Sequence, residues 1–475
     1  MAKLTFYGAA QEVTGSCHML ESPAVGKILL DCGMHQGGDA VDRVHEESFP
    51  FNPAEIDAVI LSHGHLDHSG LLPTLVNQGF DGPIYCTQAT RQLLRVLLED
   101  ARGLYERDLE RDNLRRQRAG RPLIEPRYTA HDVEKVLRLC DGKQYRKPFG
   151  IAADVELTFL DAGHILGSAI VHLKIIEHGK PRILVFSGDL GNRHSALMND
   201  PEYVNEADLV LMEGTYGNRN HRDHDATLEQ FRQVLHETWE AGGNVMIPSF
   251  AIGRSQELIY YLGCLHHSGE LDNWQVFLDS PMAIEVTEIY DRWLHLLDDE
   301  DIRCLSDANR ESLAQFLPTL KLCRSAEDSM QINAIKQGAL IIAGSGMCTG
   351  GRIRHHFKHR IWKRENTVIF IGFQARGTLG RMLVDGVETF KMFGDDFKVG
   401  ARIETIGGLS AHAGQDELID WIDRFRKESP GTETQRPRVM LVHGETEALQ
   451  ALSDRLQQDK GIRAEIPAYR DSIEF

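Results

Sequence analysis

Hydrophobic and polar residues alternate with a period of two near the N-terminus, around 4–7, 16–20 and 27–31, which predicts paired strands. A continuous apolar run at 58–61 reads instead as a buried strand. A helix is expected at 71–78, a strand at 84–86, and a long charged helical stretch at 88–118, interrupted at Gly103. Another short amphipathic helix follows at 130–139, then β runs at 155–160, 183–186 and 208–212. Beyond 217 a new alternation begins. Helices at 227–241, 255–267 and 283–297 interleave with strands at 244–248, 275–278, 339–343 and 367–371. A strand at 399–406, a helix at 417–428 and a strand at 439–442 close the pattern, and 429–437 reads as a loop.

This alternation predicts a layered α/β sandwich. A chain of 475 residues exceeds one ordinary core, so two domains are expected. The first spans 1–217 and resumes over 399–475, and a doubly wound domain over 218–398 is inserted into it. Hydrophobic content of 42% and charged content of 26% are those of a globular protein. No window approaches the roughly 20 apolar residues of a membrane span, and no basic-then-apolar signal opens the chain. The eight Cys are scattered without a Cys-x-x-Cys pair, as expected of reduced thiols in a cytoplasmic, soluble protein.

The net charge of −18 argues against nucleic-acid binding by bulk attraction, although a local concentration of positive charge would still allow it. Two basic stretches stand out, 111–127 and 350–364. Each reads as a solvated helix face or as a binding surface.

The chemistry concentrates at His63-Gly-His65-Leu-Asp67-His68, directly after the buried strand at 58–61. Imidazole nitrogen and carboxylate oxygen suit zinc. The spacing and the flanking glycines call for a loop that aims His63 and His65 at one metal, and Asp67 and His68 at a second. Further candidates stand at strand ends: His164 in a Gly-flanked turn, Asp189 after 183–186, and Glu213 after 208–212. Asp31 also ends a strand, where an acid either accepts the second ring N–H of a metal-bound His or simply forms the turn.

His-x-His-x-Asp-His after a strand resembles the central motif of the metallo-β-lactamase fold hydrolases. The order of the later pieces resembles one branch of that fold, the β-CASP nucleases, over essentially residues 3–470. The resemblance implies an αββα sandwich with an inserted β-CASP domain. It also implies two Zn2+ per chain, with Mn2+ able to occupy the same sites. His63, His65 and His164 would hold one ion, and Asp67, His68 and His443 the other, with Asp189 bridging. Glu213, His412 and His443 match the acid and the two late His residues that define the branch, and Asp31 matches the residue that orients a ligand. Gly214 after Glu213 departs from the usual Ser or Ala, and a slightly looser turn is expected there.

Two zinc ions can activate water and clamp the oxygens of an in-line phosphodiester displacement. Asp67 could orient the nucleophile. The leaving 3′ oxygen needs a proton, which is assigned to His412 held by Glu213. The Gly-rich turn at 344–352 could bind phosphate through exposed N–H groups, and it matches a Ser-Gly-Met-x-Thr-Gly-Gly stretch of bacterial and archaeal β-CASP ribonucleases. Ser345, Gly346, Thr349 and Ser410 are therefore the expected substrate contacts. Segments 248–254 and 372–381 also match those enzymes, or serve packing and tight turns.

His443 stands where relatives acting on DNA tend to carry Val, which favours RNA. The expected partners are single-stranded RNA and a second copy of the chain as a homodimer, with no membrane. The alternatives are a DNA nuclease of the same branch, an inactive RNA-processing scaffold, and a small-molecule hydrolase of the same fold. The filled ligand positions speak against the scaffold, and the inserted domain speaks against the small-molecule enzyme.

Overall fold

The computed structural model describes residues 2–35, 48–177, 179–308, 310–372, 374, 377–426 and 436–475. It divides into two compact units, one of residues 1–193, 199–220 and 412–475, the other of 194–198 and 221–411.

The first unit holds two seven-stranded sheets. One runs in the order Ser472–Glu474, Lys3–Phe6, His18–Ser22, Gly26–Leu30, Ala58–Ile60, Ile84–Thr87, Cys140–Lys143. The other runs Ala464–Glu465, Arg438–Val442, Leu209–Glu213, Lys180–Phe186, Ala169–Glu177, Val155–Asp161, Phe149–Ala152. The period-two strands supply one face each to a shared core, in which Leu4, Phe6, Ile28 and Ile60 meet Phe159, Leu173, Leu211 and Val442.

The outer faces are covered by helices. Leu94, Leu98 and Tyr105 of helix Gln88–Arg118 and Val133 and Val136 of helix Ala130–Leu139 pack over the first sheet. Leu418, Trp421 and Ile422 of helix Gln415–Asp423, with Leu449, Leu452 and Leu456 of helix Thr446–Lys460, cover the second. This is the expected αββα sandwich. The second unit is a doubly wound domain around a six-stranded sheet of parallel strands: Leu320–Leu322, Gln275–Asp279, Ala339–Ala343, Val245–Pro248, Thr367–Phe370, Arg402–Thr405.

Three local expectations are corrected. The helix over 88–118 passes Gly103 without a break. Its buried leucines and tyrosine outweigh the cost of about 1 kcal/mol for one glycine. The first unit resumes at 412 rather than 399, because Arg402–Thr405 pairs with Thr367–Phe370 and so extends the second unit's sheet. The helix expected at 417–428 is Gln415–Asp423, and of the loop expected at 429–437 the residues 429–435 lie outside those described. Among the described residues no helix is long and apolar enough to cross a membrane.

Candidate metal centre

Strand Ala58–Ile60 delivers His63 to the edge of the sandwich, and the chain then turns into a single helical turn, Leu66–Ser69. The motif is therefore half loop and half helix, where a loop alone was expected. His68 N–H donates to the His65 carbonyl at 3.0 Å, and the Ser69 hydroxyl donates to the Gly64 and His65 carbonyls at 3.0 Å. Those bonds rotate Asp67 and His68 onto one side. Gly33 makes the close approach possible, since a Cβ there would overlap the Asp67 carbonyl. Asp189 follows Lys180–Phe186, Glu213 ends Leu209–Glu213, and His443 follows Arg438–Val442. All three sit at the C-terminal ends of neighbouring parallel strands, where open α/β sheets commonly place their sites.

The structure brings His63, His65, His164 and Asp189 into one group and Asp67, His68 and His443 into another, each with ligand atoms within 4.8 Å of one another. Asp189 faces both. Its Oδ2 lies 3.5 Å from His63 Nε2 and 3.6 Å from His164 Nε2, and its Oδ1 lies 3.3 Å from His68 Nε2.

The donor set fits divalent cations. His65 Nδ1 faces His63 Nε2 at 3.0 Å and His164 Nε2 at 3.2 Å. One ring nitrogen carries one lone pair or one proton and cannot satisfy both. His68 Nε2 faces His443 Nε2 at 3.1 Å, and Asp189 Oδ1 is buried with no hydrogen bond. Cations bound in these groups would satisfy such contacts.

Neighbouring groups set the tautomers. His68 Nδ1 donates to Asp31 Oδ2 at 2.7 Å, which turns Nε2 toward Asp189. Asp31 is itself held by the Ser62 amide and by the Ser16 and Ser62 hydroxyls. Thr215 does the same for His443. Its hydroxyl donates to the His443 carbonyl at 3.1 Å and lies 3.1 Å from Nδ1, which it can accept from. Sequence reading missed Thr215, and only its position two residues after Glu213 hinted at it. Gly214 packs closely, since a Cβ there would press on the Leu449 side chain.

Electrostatics follow from burial and from these pairings. Burial, with the charge of His68 beside it, holds His63 well below its ordinary range. Burial opposes charge on Asp67, yet His443 and His68 outweigh it and bring the carboxyl to about 2. Asp189 is likewise held low by His443 and His68 against its burial. For His68 the penalty of burial is overcome by Asp189 and Asp31, which raise it well above its ordinary value.

His412 enters from the other end of the chain. Its backbone bridges to Gly191, and Ala413 N–H donates to the Leu190 carbonyl at 2.8 Å. The ring packs on His164 with centroids 4.5 Å apart, and Nδ1 lies 3.2 Å from Glu213 Oε1. Glu213 is fully buried, while 22% of the His412 side chain is exposed. Burial disfavours charge on His412, but Glu213, with Asp189 and Asp67 behind it, raises its pKa to about 9.

The remaining expected contacts lie in the second unit. Ser345, Gly346 and Thr349 share one turn after strand Ala339–Ala343, where the Gly350 amide donates to Ser345 Oγ at 3.2 Å. Ser410 is buried, two residues before His412. Arg254 forms a buried ion pair with Glu257, which is a packing role for segment 248–254. Of segment 372–381, residues 373, 375 and 376 lie outside those described.

Three family models match the chain: the metallo-beta-lactamase superfamily over 11–237, the Beta-Casp domain over 255–383, and the Zn-dependent metallo-hydrolase RNA specificity domain over 396–467. Ribonuclease TTHA0252 of Thermus thermophilus is 38% identical over 452 residues, covering 95% of each chain. Transcription termination factor FttA of Methanosarcina mazei is 33% identical over 467 residues, covering 94% of this chain and 67% of that protein. A crystal structure of a protein of unknown function from Enterococcus faecalis shares the fold, with a TM-score of 0.52, 14% identity and 99% of both chains covered.

Proposed function

We propose, from the premise that this chain belongs to the β-CASP ribonucleases of the metallo-β-lactamase superfamily and is a metal-binding hydrolase acting on RNA, that it cuts single-stranded RNA with two zinc ions. The observation that carries this reading is Asp189, which turns one carboxylate oxygen to each of two histidine groups. His63, His65 and His164 would hold one ion and Asp67, His68 and His443 the other, with Asp189 between them. Zinc, or manganese in its place, supplies Lewis acidity toward the phosphodiester and acidity to the attacking water.

The rest is work for the chain's own side chains. Asp31 and Thr215 keep His68 and His443 in one tautomer, so that neither ring must reorganise as substrate arrives. Asp67 accepts a hydrogen bond from the nucleophile and orients it. Glu213 holds His412 by Nδ1, which leaves Nε2 to deliver a proton to the departing 3′ oxygen. Ser345, Gly346, Thr349 and Ser410 would contact substrate phosphates. The eight cysteines are all free, which supports a reducing, cytoplasmic setting. A homodimer belongs to the same reading.

The test is a digestion series. Metal-stripped protein should leave 5′-labelled single-stranded RNA intact, and zinc added back to about two equivalents should restore a ladder of products. Restoration complete at one equivalent would overturn the two-ion reading, and RNA cut equally well without metal would overturn the metal reading.

A further inference from the structure

The basic stretch at 350–364 resolves into two opposite faces once its helix, Ile353–Arg360, is seen in place. On the inner face Ile353, His356, Phe357 and Arg360 are buried. Arg352 donates to Asp279 Oδ1 at 2.7 Å and to the Cys323 and Arg324 carbonyls, and Arg360 donates to Asn333 and to the Ile332 carbonyl. Asp279 also binds His356 Nε2 and the Ser329 hydroxyl, each at 2.6 Å. These cations are structural, and they pin the helix rigidly.

The outer face is different. Arg354, Lys358 and Trp362 recur every four residues, and His355, His359 and Lys363 form a second row beside them. Among the described residues no carboxylate lies within 4.0 Å of Arg354, Lys358, Lys363 or Arg364. Elsewhere this acidic protein pairs its surface arginines repeatedly, as in Arg402 with Glu237 and Glu404 or Arg438 with Glu465. Arg354, Lys358, Lys363 and Arg364 thus make a continuous basic row in a chain of net charge −18.

Two aromatic rings lie exposed beside these cations. Trp362 is 55% exposed with Lys363 Nζ 5.3 Å from its centroid, and Phe393 is 47% exposed. Phe393 stacks on His355 at 5.0 Å and 26°, and the Arg354 guanidinium lies 4.9 Å from its centroid. Phe393 also sits at φ +55° beside Gly394 at φ +90°, at the tip of the hairpin Thr389–Met392 and Asp395–Lys398. Two-residue turns with both φ positive favour Asn or Gly, and a bulky ring there costs conformational energy. An exposed aromatic group kept in a strained position, against an imidazole and a guanidinium, needs a reason beyond folding.

We propose that this face is a binding strip for single-stranded RNA, in which Arg354, Lys358, Lys363 and Arg364 meet phosphates and Phe393 and Trp362 stack bases. The proposal rests on the RNA reading above and adds a contact surface to it. From Ile353 to Arg360 the rise along the helix is about 10 Å. At roughly 3.4 Å per stacked nucleotide that accommodates about three.

The test uses the intact, metal-loaded protein and a fluorescein-labelled phosphorothioate oligouridylate, which resists cutting, with binding followed by anisotropy across a salt series. Replacing all four cations (Arg354→Gln, Lys358→Gln, Lys363→Gln, Arg364→Gln) should weaken binding at least about tenfold and flatten the log–log salt slope by about 3. Phe393→Asn should raise thermal stability while weakening binding by about tenfold and leaving the salt slope alone. Should the fourfold variant misfold, Lys358→Glu and Arg364→Glu, each at one exposed position, should each weaken binding and flatten the slope by about 0.7 or more. Unchanged affinity and slope in folded variants overturn the strip alone. Absence of binding by the unaltered protein overturns both the strip and the RNA reading.

Discussion

His412 Nδ1 lies 3.2 Å from Glu213 Oε1, although 199 residues separate the two in sequence. Glu213 is pinned in turn by the Leu190 amide at 2.6 Å and the Thr215 amide at 3.3 Å. A buried carboxylate so held has one remaining task, which is to orient and charge the imidazole beside it. His412→Ala should therefore lower kcat by about 10²–10⁴ and leave bound metal, measured by elemental analysis, at the wild-type level. Glu213→Gln keeps the shape and removes the charge, and it should fall within the same range.

Asp31 and Thr215 each contact the Nδ1 nitrogen of a candidate ligand, His68 and His443. Removing such partners typically costs about 10–100-fold in metal affinity or activity. Asp31→Asn and Thr215→Val should show that loss in chelator competition. Asp31→Asn should also cost stability, since Ser16 and Ser62 donate to the same carboxylate. Thr215→Val binding metal as tightly as wild type would remove Thr215 from the centre.

Gly33 lies where a Cβ would overlap the Asp67 carbonyl. The collision is with backbone, so no side chain can swing aside. Gly33→Ala should cost about 1–3 kcal/mol, seen as a lowered Tm. It should also reduce metal content, because the displaced turn carries Asp67 and His68.

In the second unit the group Asp279, His356, Arg352 and Ser329 makes a pH prediction. Burial lowers the His356 pKa below its ordinary 6.5, and hydrogen bonds from His356, Ser329 and Arg352 overcome burial to lower Asp279 below its ordinary 3.8. Both groups take up protons more readily once unfolded. Their stabilisation is thus complete above about pH 6.5 and is lost as the pH falls, through His356 first and Asp279 later. Unfolding of this unit should shift to lower temperature from pH 7 to pH 5, and His356→Gln should flatten that slope. Asp279→Ala leaves buried His356 and half-buried Arg352 without their shared carboxylate and should cost about 1–3 kcal/mol.

Much of this was legible in one dimension. The buried run before His63 and the acids or histidines after the runs at 183–186 and 208–212 marked strand ends where a sandwich gathers its polar chemistry. The dense His63–His68 spacing identified metal chemistry, because few other tasks need three imidazoles and a carboxylate in six residues. Periodicity could not show where Arg402–Thr405 would pair, since an edge strand is chosen by hydrogen bonds to a partner distant in sequence. It also could not separate Arg352 and Arg360, pinned by Asp279 and by carbonyls, from Arg354 and Lys358, which among the described residues have no carboxylate beside them.

The order of residues by itself determined which side chains were available for metal and which strands and helices would carry them, because local pattern and residue chemistry are properties of neighbours along the chain. Tertiary structure alone decided that Asp189 faces both histidine groups, that Thr215 orients His443, and that Phe393 rests on His355 and Arg354. Those relations depend on distances of a few Å between residues that are tens to hundreds of positions apart. Only the packing of sheets and helices against one another sets such distances.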